Sequence, residues 1–335
     1  MEKINIVEYI QTKKRNNPFR LQNVQIDLTN LCNANCPFCL QGTHNSNIGC
    51  LSTQKIKEVL LDAKKLGAFS VGFDGGEICL REDASEIISY ASSLGFNISI
   101  TTNGHLLTDQ IINAILRGTV SRVTVSFHSA DKDIYNILFG VTGDEFDKAI
   151  QNITLMKRLG INVGLAVTIT KYNYKGLNKI INFARSLGIT ENNIGFNQLI
   201  PGKTQIADLC LTLDEKLEVA NYMKNNCLKA CLRDHFLCDA GRTSLHIAYN
   251  GLVYACPLLD VIAGNVNLTS ISEIWENSDY FIMLRSLKPE HFKKCYYCPT
   301  KTRCQMCLRN NIVYCKDIFT PFEDTCSFMK AAAQK

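Results

Sequence analysis

Cys32, Cys36 and Cys39 stand close together in LTNLCNANCPFCLQG, the stretch from Leu28 to Gly42, with Phe38 directly before the last of them. Three thiols are one too many for a disulfide and one too few for a closed tetrahedral site. As thiolates they can hold three corners of a [4Fe–4S] cube. The fourth iron then stays open to a ligand, as the open position does in catalytic metal sites generally. On spacing alone a zinc site completed by Cys50 or His44 remains an alternative. The chain has 16 cysteines in all. Its start, MEKINIVEYIQTKKRNN, has no apolar export segment, and the cysteines are clustered rather than spread. A disulfide framework is the other reading of such a count, but a long chain without an export signal favours reduced, metal-binding thiols.

Further thiols gather in the last third. Cys238 and Cys256 bracket Gly251 in CDAGRTSLHIAYNGLVYAC. CYYCPTKTRCQMC then gives Cys295, Cys298, Cys304 and Cys307, followed by Cys315 and Cys326. Paired C-x2-C units are also zinc-knuckle chemistry, yet zinc there would leave Cys238 and Cys256 without an account.

The elements that must position these thiols are legible in the hydrophobic pattern. Candidate strands are VQIDL (24–28), FSVGF (69–73), NISIT (97–101), RVTVSF (122–127), NVGLAVTI (162–169) and NIGFNQLI (193–200). Helical patterns between them end at Gly67, Gly95, Gly160 and Gly188, where glycine is the expected C-terminal stop. Repeated helix–strand alternation implies a parallel sheet. Six units fall short of a closed eight-fold barrel, so the expected fold is α/β, a partial (β/α)6 TIM-like barrel with its site on the loops after the strands. The first cysteine cluster follows the first strand and so falls on that face. Residues 1–20 read as an N-terminal extension, 21–200 as the barrel, 201–235 as a bridging loop and helix, and 236–335 as a small cysteine-rich domain in which only 272–287 looks helical.

C-x3-C-x2-C with an aromatic before its last cysteine resembles the radical S-adenosylmethionine (radical SAM) enzymes. Gly75, Gly76 and Glu77 in FDGGEI, after the second strand, resemble that family's GGE element. The resemblance covers residues 20–200. It implies that Cys32, Cys36 and Cys39 ligate a [4Fe–4S] cluster whose open iron chelates the amino and carboxylate groups of SAM. It further implies that Phe38 lies near the adenine and that Glu77 holds the methionyl ammonium. Asn103 and Ser126, at the ends of strands three and four, would contact the ribose or methionine; a turn Asn-Gly and an ordinary strand-end serine are the plainer alternatives. Phe139 stands where an arginine for the SAM carboxylate would be sought. The implied chemistry is one-electron cleavage of SAM to a 5′-deoxyadenosyl radical that abstracts a substrate hydrogen, with the hard step carried by the cofactor. No catalytic side chain beyond the cluster is implied.

The later cysteines resemble the SPASM extension of that family, which holds two auxiliary [4Fe–4S] clusters. By resemblance Cys231, Cys238, Cys256 and Cys307 would hold one, and Cys295, Cys298, Cys304 and Cys326 the other. The spacing from Cys304 to Cys307 is one residue short of the family pattern, and Cys315 is a rival to Cys326. SPASM members act mostly on peptides and proteins. VSFHSADKDIYNILFGVTG is similar to the fourth-strand segment of peptide cross-linking members. The resemblance therefore implies a peptide or protein substrate, most directly maturation of a ribosomal peptide by a thioether or C–C link or by excision. Sulfatase-type protein maturation, a small cofactor precursor, and a non-catalytic zinc or iron–sulfur binding protein are the alternatives. About twenty residues precede the first strand, so leader recognition would use this chain's own surface or a separate small protein. A flavodoxin- or ferredoxin-type reductant is implied.

Charge and hydropathy exclude other classes. The net charge of +5 is mild and unmassed, which does not call for nucleic acid. No apolar run approaches the ~18–20 residues of a membrane span. A cytoplasmic protein is expected.

Overall fold

The computed structural model describes residues 19–40, 49–199, 206–225, 237–301, 304 and 306–333. Six parallel strands form one end of a nine-stranded sheet: β1 (Asn23–Asp27), β2 (Ser70–Asp74), β3 (Asn97–Thr102), β4 (Val120–Ser126), β5 (Val163–Ile169) and β6 (Ile194–Gln198). They lie side by side in chain order, as consecutive right-handed βα units require. The helices between them are α1 (Thr53–Lys65), α2 (Ala84–Ser93), α3 (Asp109–Arg117), α4 (Lys132–Phe139), α5 (Glu145–Arg158) and α6 (Leu177–Ser186).

The first four strands alternate. Val24, Ile26, Val71, Phe73, Ile98, Ile100, Val123 and Val125 are buried, in one core with Ile56 and Leu60 of α1 and Ile87 and Ile88 of α2. The residues between them, Gln25, Asp74, Thr101 and Thr124 among them, point to the opposite, concave face. The four glycines expected to stop helices all take left-handed φ, from +70° to +97°. At that φ a side chain would be strained, and glycine is not. Serine or threonine side chains cap the starts of α1 (Ser52 from the N–H of Lys55, 3.1 Å) and α3 (Thr108 from Ile111, 3.3 Å).

The cysteine-rich part continues the same sheet. β7 (Ser244–Ile247) pairs in parallel with β1, from Asn23 opposite Ser244 to Ile26 opposite Ile247. The antiparallel β8 (Leu252–Tyr254) and β9 (Ile262–Asn265) extend it. β1 is thereby an interior strand.

The helices of the C-terminal part depart from the sequence reading in two places. The expected helix over 272–287 is two, α8 (Ile271–Asn277) and α9 (Asp279–Ser286), because Ser278 is extended at φ −63°, ψ 119°. The expected bridging helix is present, and is described over Leu213–Asn225 (α7). A further helix, α10 (Glu323–Ala333), packs on α7 and carries Cys326.

Candidate active site

The loop after β1 that carries Cys32, Cys36 and Cys39 is held from three sides. Beneath it, the N–H groups of Gly76 and Glu77 donate to the carbonyls of Thr29 and Leu31, each at 2.7 Å. At its side, Asn35 N–H donates to Phe139 O at the end of α4, 2.8 Å. From β3, Asn103 Nδ2 donates to Asn33 Oδ1 at 2.7 Å and lies 3.9 Å from the Cys32 sulfur.

The glycines of the GGE stretch serve this packing. A Cβ on Gly75 (φ +135°) would lie 2.4 Å from Thr29 O, and one on Gly76 2.2 Å from Leu31 O. Their bareness admits the cysteine loop's own backbone. Gly140, the left-handed cap of α4, does the same: its Cβ would lie 2.2 Å from Asn35 O.

Glu77 is fully buried. Its carboxylate accepts from Cys79 N–H (3.1 Å), Thr102 Oγ1 (2.7 Å) and Asn103 N–H (2.6 Å). Burial nevertheless holds its pKa above the ordinary carboxylate value. The Cys79 thiol hydrogen-bonds the carboxylate as well, so its four or so lone-pair sites are shared among Thr102, Asn103 and the N–H and S–H of Cys79. Ser126 ends β4 opposite Ala166 of β5.

The three loop thiols are half-buried and electrostatically coupled. Burial, then the charges of Cys39 and Cys32, push the Cys36 thiol up. Cys32 is raised by burial, then by Glu77 and Cys39, against a backbone hydrogen bond from Ala34. Thiols that resist joint ionisation form a site that positive charge among them would stabilise. Among the described residues no three His, Cys, Asp or Glu groups are gathered tightly enough for a single ion. Thiolates are the ligands of an iron–sulfur cube, one per iron corner, and three of them leave its fourth corner open. The donor set fits a cube. Cys50 lies beside the loop, with its thiol 3.4 Å from Asn30 Oδ1.

Two more thiol groups lie in the C-terminal part. Cys295, Cys298, Cys304 and Cys326 line one cavity of about 110 Å³, and Cys315 is not among its walls. Burial and the neighbouring sulfurs push Cys295 and Cys304 up to about 11 each. Cys307 is raised by burial and by Cys238, opposed by the backbone groups of Asn310 and Arg309. Cys256 accepts from Leu258 N–H at 3.5 Å. Tyr280, pushed up to about 12 by burial and by the charges of Cys256 and Cys238, places those two sulfurs near one ring. Cys231, like Cys227 and His44, lies outside the described residues.

Between the two halves lies a cavity of about 580 Å³. Phe38 and Leu40 of the cysteine loop, Thr168 of β5, Asn197 and Gln198 of β6, and Cys307 line it together. Among the described residues of its wall there is no charged side chain.

Sequence reasoning missed the polar side chains of the concave face. His246 of β7 hydrogen-bonds Asp27 of β1 (2.8 Å), and Gln25 hydrogen-bonds Asp74. Burial and the Asp27 charge raise the Asp74 pKa, against hydrogen bonds from Thr101 and Gln25. It also missed His128, whose ring meets Phe38 edge-on at 5.2 Å. The signal was present: a polar residue at every second strand position, between apolar ones that are buried.

The chain matches the radical SAM superfamily over residues 26–184 and an iron–sulfur cluster-binding domain, SPASM, over 238–299. It is 27% identical over 318 residues to the AdoMet-dependent heme synthase of Methanosarcina barkeri, covering 84% of this chain and 89% of that one. It is 26% identical over 300 residues to the mycofactocin maturase MftC of Mycobacterium tuberculosis, covering 83% and 76%. Its fold is similar to that of Streptococcus suis SuiB in the crystal structure bound to precursor peptide SuiA: TM-score 0.71, 18% identity, 91% of this chain and 76% of that one. No helix among the described residues is long and apolar enough to cross a membrane.

Proposed function

From the premise that the chain belongs to the radical SAM superfamily and carries a SPASM iron–sulfur domain, we propose that it abstracts hydrogen from a peptide or protein, maturing a ribosomally made peptide. SAM and the [4Fe–4S] cluster, when bound, supply one-electron cleavage of the sulfonium and hence a hydrogen-abstracting radical. The chain's residues do the positioning. Cys32, Cys36 and Cys39 would hold the SAM cluster. Cys238, Cys256 and Cys307, with Cys231, would hold one auxiliary cluster, and Cys295, Cys298, Cys304 and Cys326 the other. Glu77 would hold the methionyl ammonium. Phe38, Gly75, Gly76, Asn103 and Ser126 complete the proposed cofactor pocket. Residues 21–200 are assigned to the barrel, 201–235 to a bridge and 236–335 to the auxiliary-cluster part, after an extension of 1–20.

One observation carries the choice of substrate: the uncharged wall of the 580 Å³ cavity between Phe38 and Cys307. A peptide segment with neutral side chains meets carboxamides and threonines there that can both donate and accept. A triphosphate or a polycarboxylate would lose its hydration without finding a cation on the described wall. The mycofactocin maturase and the peptide-bound SuiB support the same reading. Cys307 on that wall would hold a cluster beside the substrate, and such a cluster would supply the one-electron oxidation that a thioether or C–C link calls for. A flavodoxin- or ferredoxin-type protein would supply the reductant, and leader recognition would fall to this chain's surface or a separate small protein.

The second reading, a small cofactor precursor, is favoured by the likeness to the heme synthase over most of both chains. Anaerobic incubation with SAM, a reductant and either precursor peptides encoded beside the gene or a tetrapyrrole separates the two. A mass change in the peptide is expected. Consumption of the tetrapyrrole with SAM cleavage, and no bound or altered peptide, would overturn the peptide reading.

A further inference from the structure

His128 lies two residues beyond β4, in VSFHS, and its backbone is clamped. Asn173 Nδ2 donates both to His128 O (2.7 Å) and to Thr168 O (2.8 Å), tying the ends of β4 and β5 together. The ring is clamped too. It stacks on Phe139 (4.7 Å between centroids, 19° between planes) and meets Phe38 edge-on (5.2 Å, 75°). Nδ1 accepts the N–H of Thr168 at 3.1 Å. A nitrogen accepting from a backbone N–H carries no proton, so the neutral ring is the Nε2–H tautomer. Burial pushes the pKa down to about 3, which keeps the ring neutral at working pH. Nε2–H is thus a donor of fixed identity, and among the described residues no protein acceptor takes it. His128 is 5% exposed and is not itself on the wall of the large cavity. Phe38 and Thr168, which flank the ring, both line the large cavity.

A flat aromatic face beside a single neutral N–H donor is the chemistry that takes a nucleobase: one stacks, the other reads a ring nitrogen. The geometry points to His128 as a specificity residue for S-adenosylmethionine, its Nε2–H donating to a ring nitrogen of the adenine that rests against Phe38. The inference rests on the proposed placement of the adenine at Phe38; neither the identity of the substrate nor the peptide reading enters it. As a donor that cannot protonate near neutrality, the ring takes no part as a base.

The test is binding to the reconstituted holoenzyme, measured by calorimetry. The probes are S-adenosylhomocysteine and its 1-deaza, 3-deaza and 7-deaza analogues. In the wild type one deaza analogue should bind about tenfold more weakly than the parent, the worth of one neutral hydrogen bond. His128→Phe should weaken the parent by a similar factor and bind that analogue no worse than the parent. His128→Gln, which restores a neutral N–H, should recover part of the loss. Equal binding of all three analogues to the wild type overturns the inference, whether or not a variant folds. So does a His128→Phe enzyme that binds S-adenosylhomocysteine normally while losing affinity for its substrate, since the donor would then face the substrate.

Discussion

Glu77 and the buried histidines give the clearest consequences at the scale of single residues. Donors converge on both oxygens of Glu77, so Glu77→Gln would turn an NH2 group toward at least one N–H or O–H. Leaving such a buried donor unsatisfied costs about 1–3 kcal/mol. A lowered Tm together with weaker S-adenosylhomocysteine binding is expected from melting and calorimetry; an unchanged Tm would show that the acceptor is not needed. Burial lowers His105 to about 4 and His128 to about 3, against about 6.5 for an unfolded histidine. As pH falls from about 6.5 to 4 the unfolded chain binds protons that the folded chain refuses, so their contribution to stability is lost through that window. Melting curves should show His105→Gln losing less Tm than the wild type between pH 6.5 and 4.5; parallel losses would refute the burial argument. The thiols and Glu77 were legible in the sequence because their spacing is short and local. His128 was not, since its role depends on Thr168 and Phe139 meeting it from other elements.

At the scale of elements, α4 matters more than its 8 residues suggest. Its last residues form one wall of the cysteine loop: Phe139 O takes the Asn35 N–H, and Gly140 leaves room for Asn35 O. Gly140→Ala combines a left-handed φ with a backbone clash, so the loop must move. Reconstituted wild type should carry about twelve iron atoms, one cube of four for each of three cysteine sets. The variant should fall to about eight with the barrel's circular dichroism unchanged. Full iron in the variant would mean that the loop tolerates the shift. Strand positions were readable to within a residue or two because alternation and the glycine stops agreed. The helices α3 and α4 escaped notice because neither ends in the Leu-Gly stop that marked the other four. The split at Ser278 escaped because the apolar pattern runs straight through it.

At the scale of the whole molecule, the two halves share a sheet. The sequence separates them where cysteines begin to dominate, and nothing in its local pattern announces that β7 will lie against β1. A chain cut after residue 237 would leave β1, an otherwise interior strand, as an open parallel edge with Asp27 deprived of His246. Such a fragment should aggregate on expression, by light scattering; a soluble, cooperatively melting fragment would show the pairing to be dispensable. The same pairing sets an order of events during synthesis. Asp27 and His246 are 219 residues apart in the chain. At roughly 5–20 residues per second, β1 waits about 10–45 s after leaving the ribosome for its second neighbour. During that interval the nascent cysteine loop already exists, but the strand that anchors it is unpaired on one side. A cell making this protein therefore has to keep those thiols reduced and unclaimed by stray metal until the last third of the chain emerges.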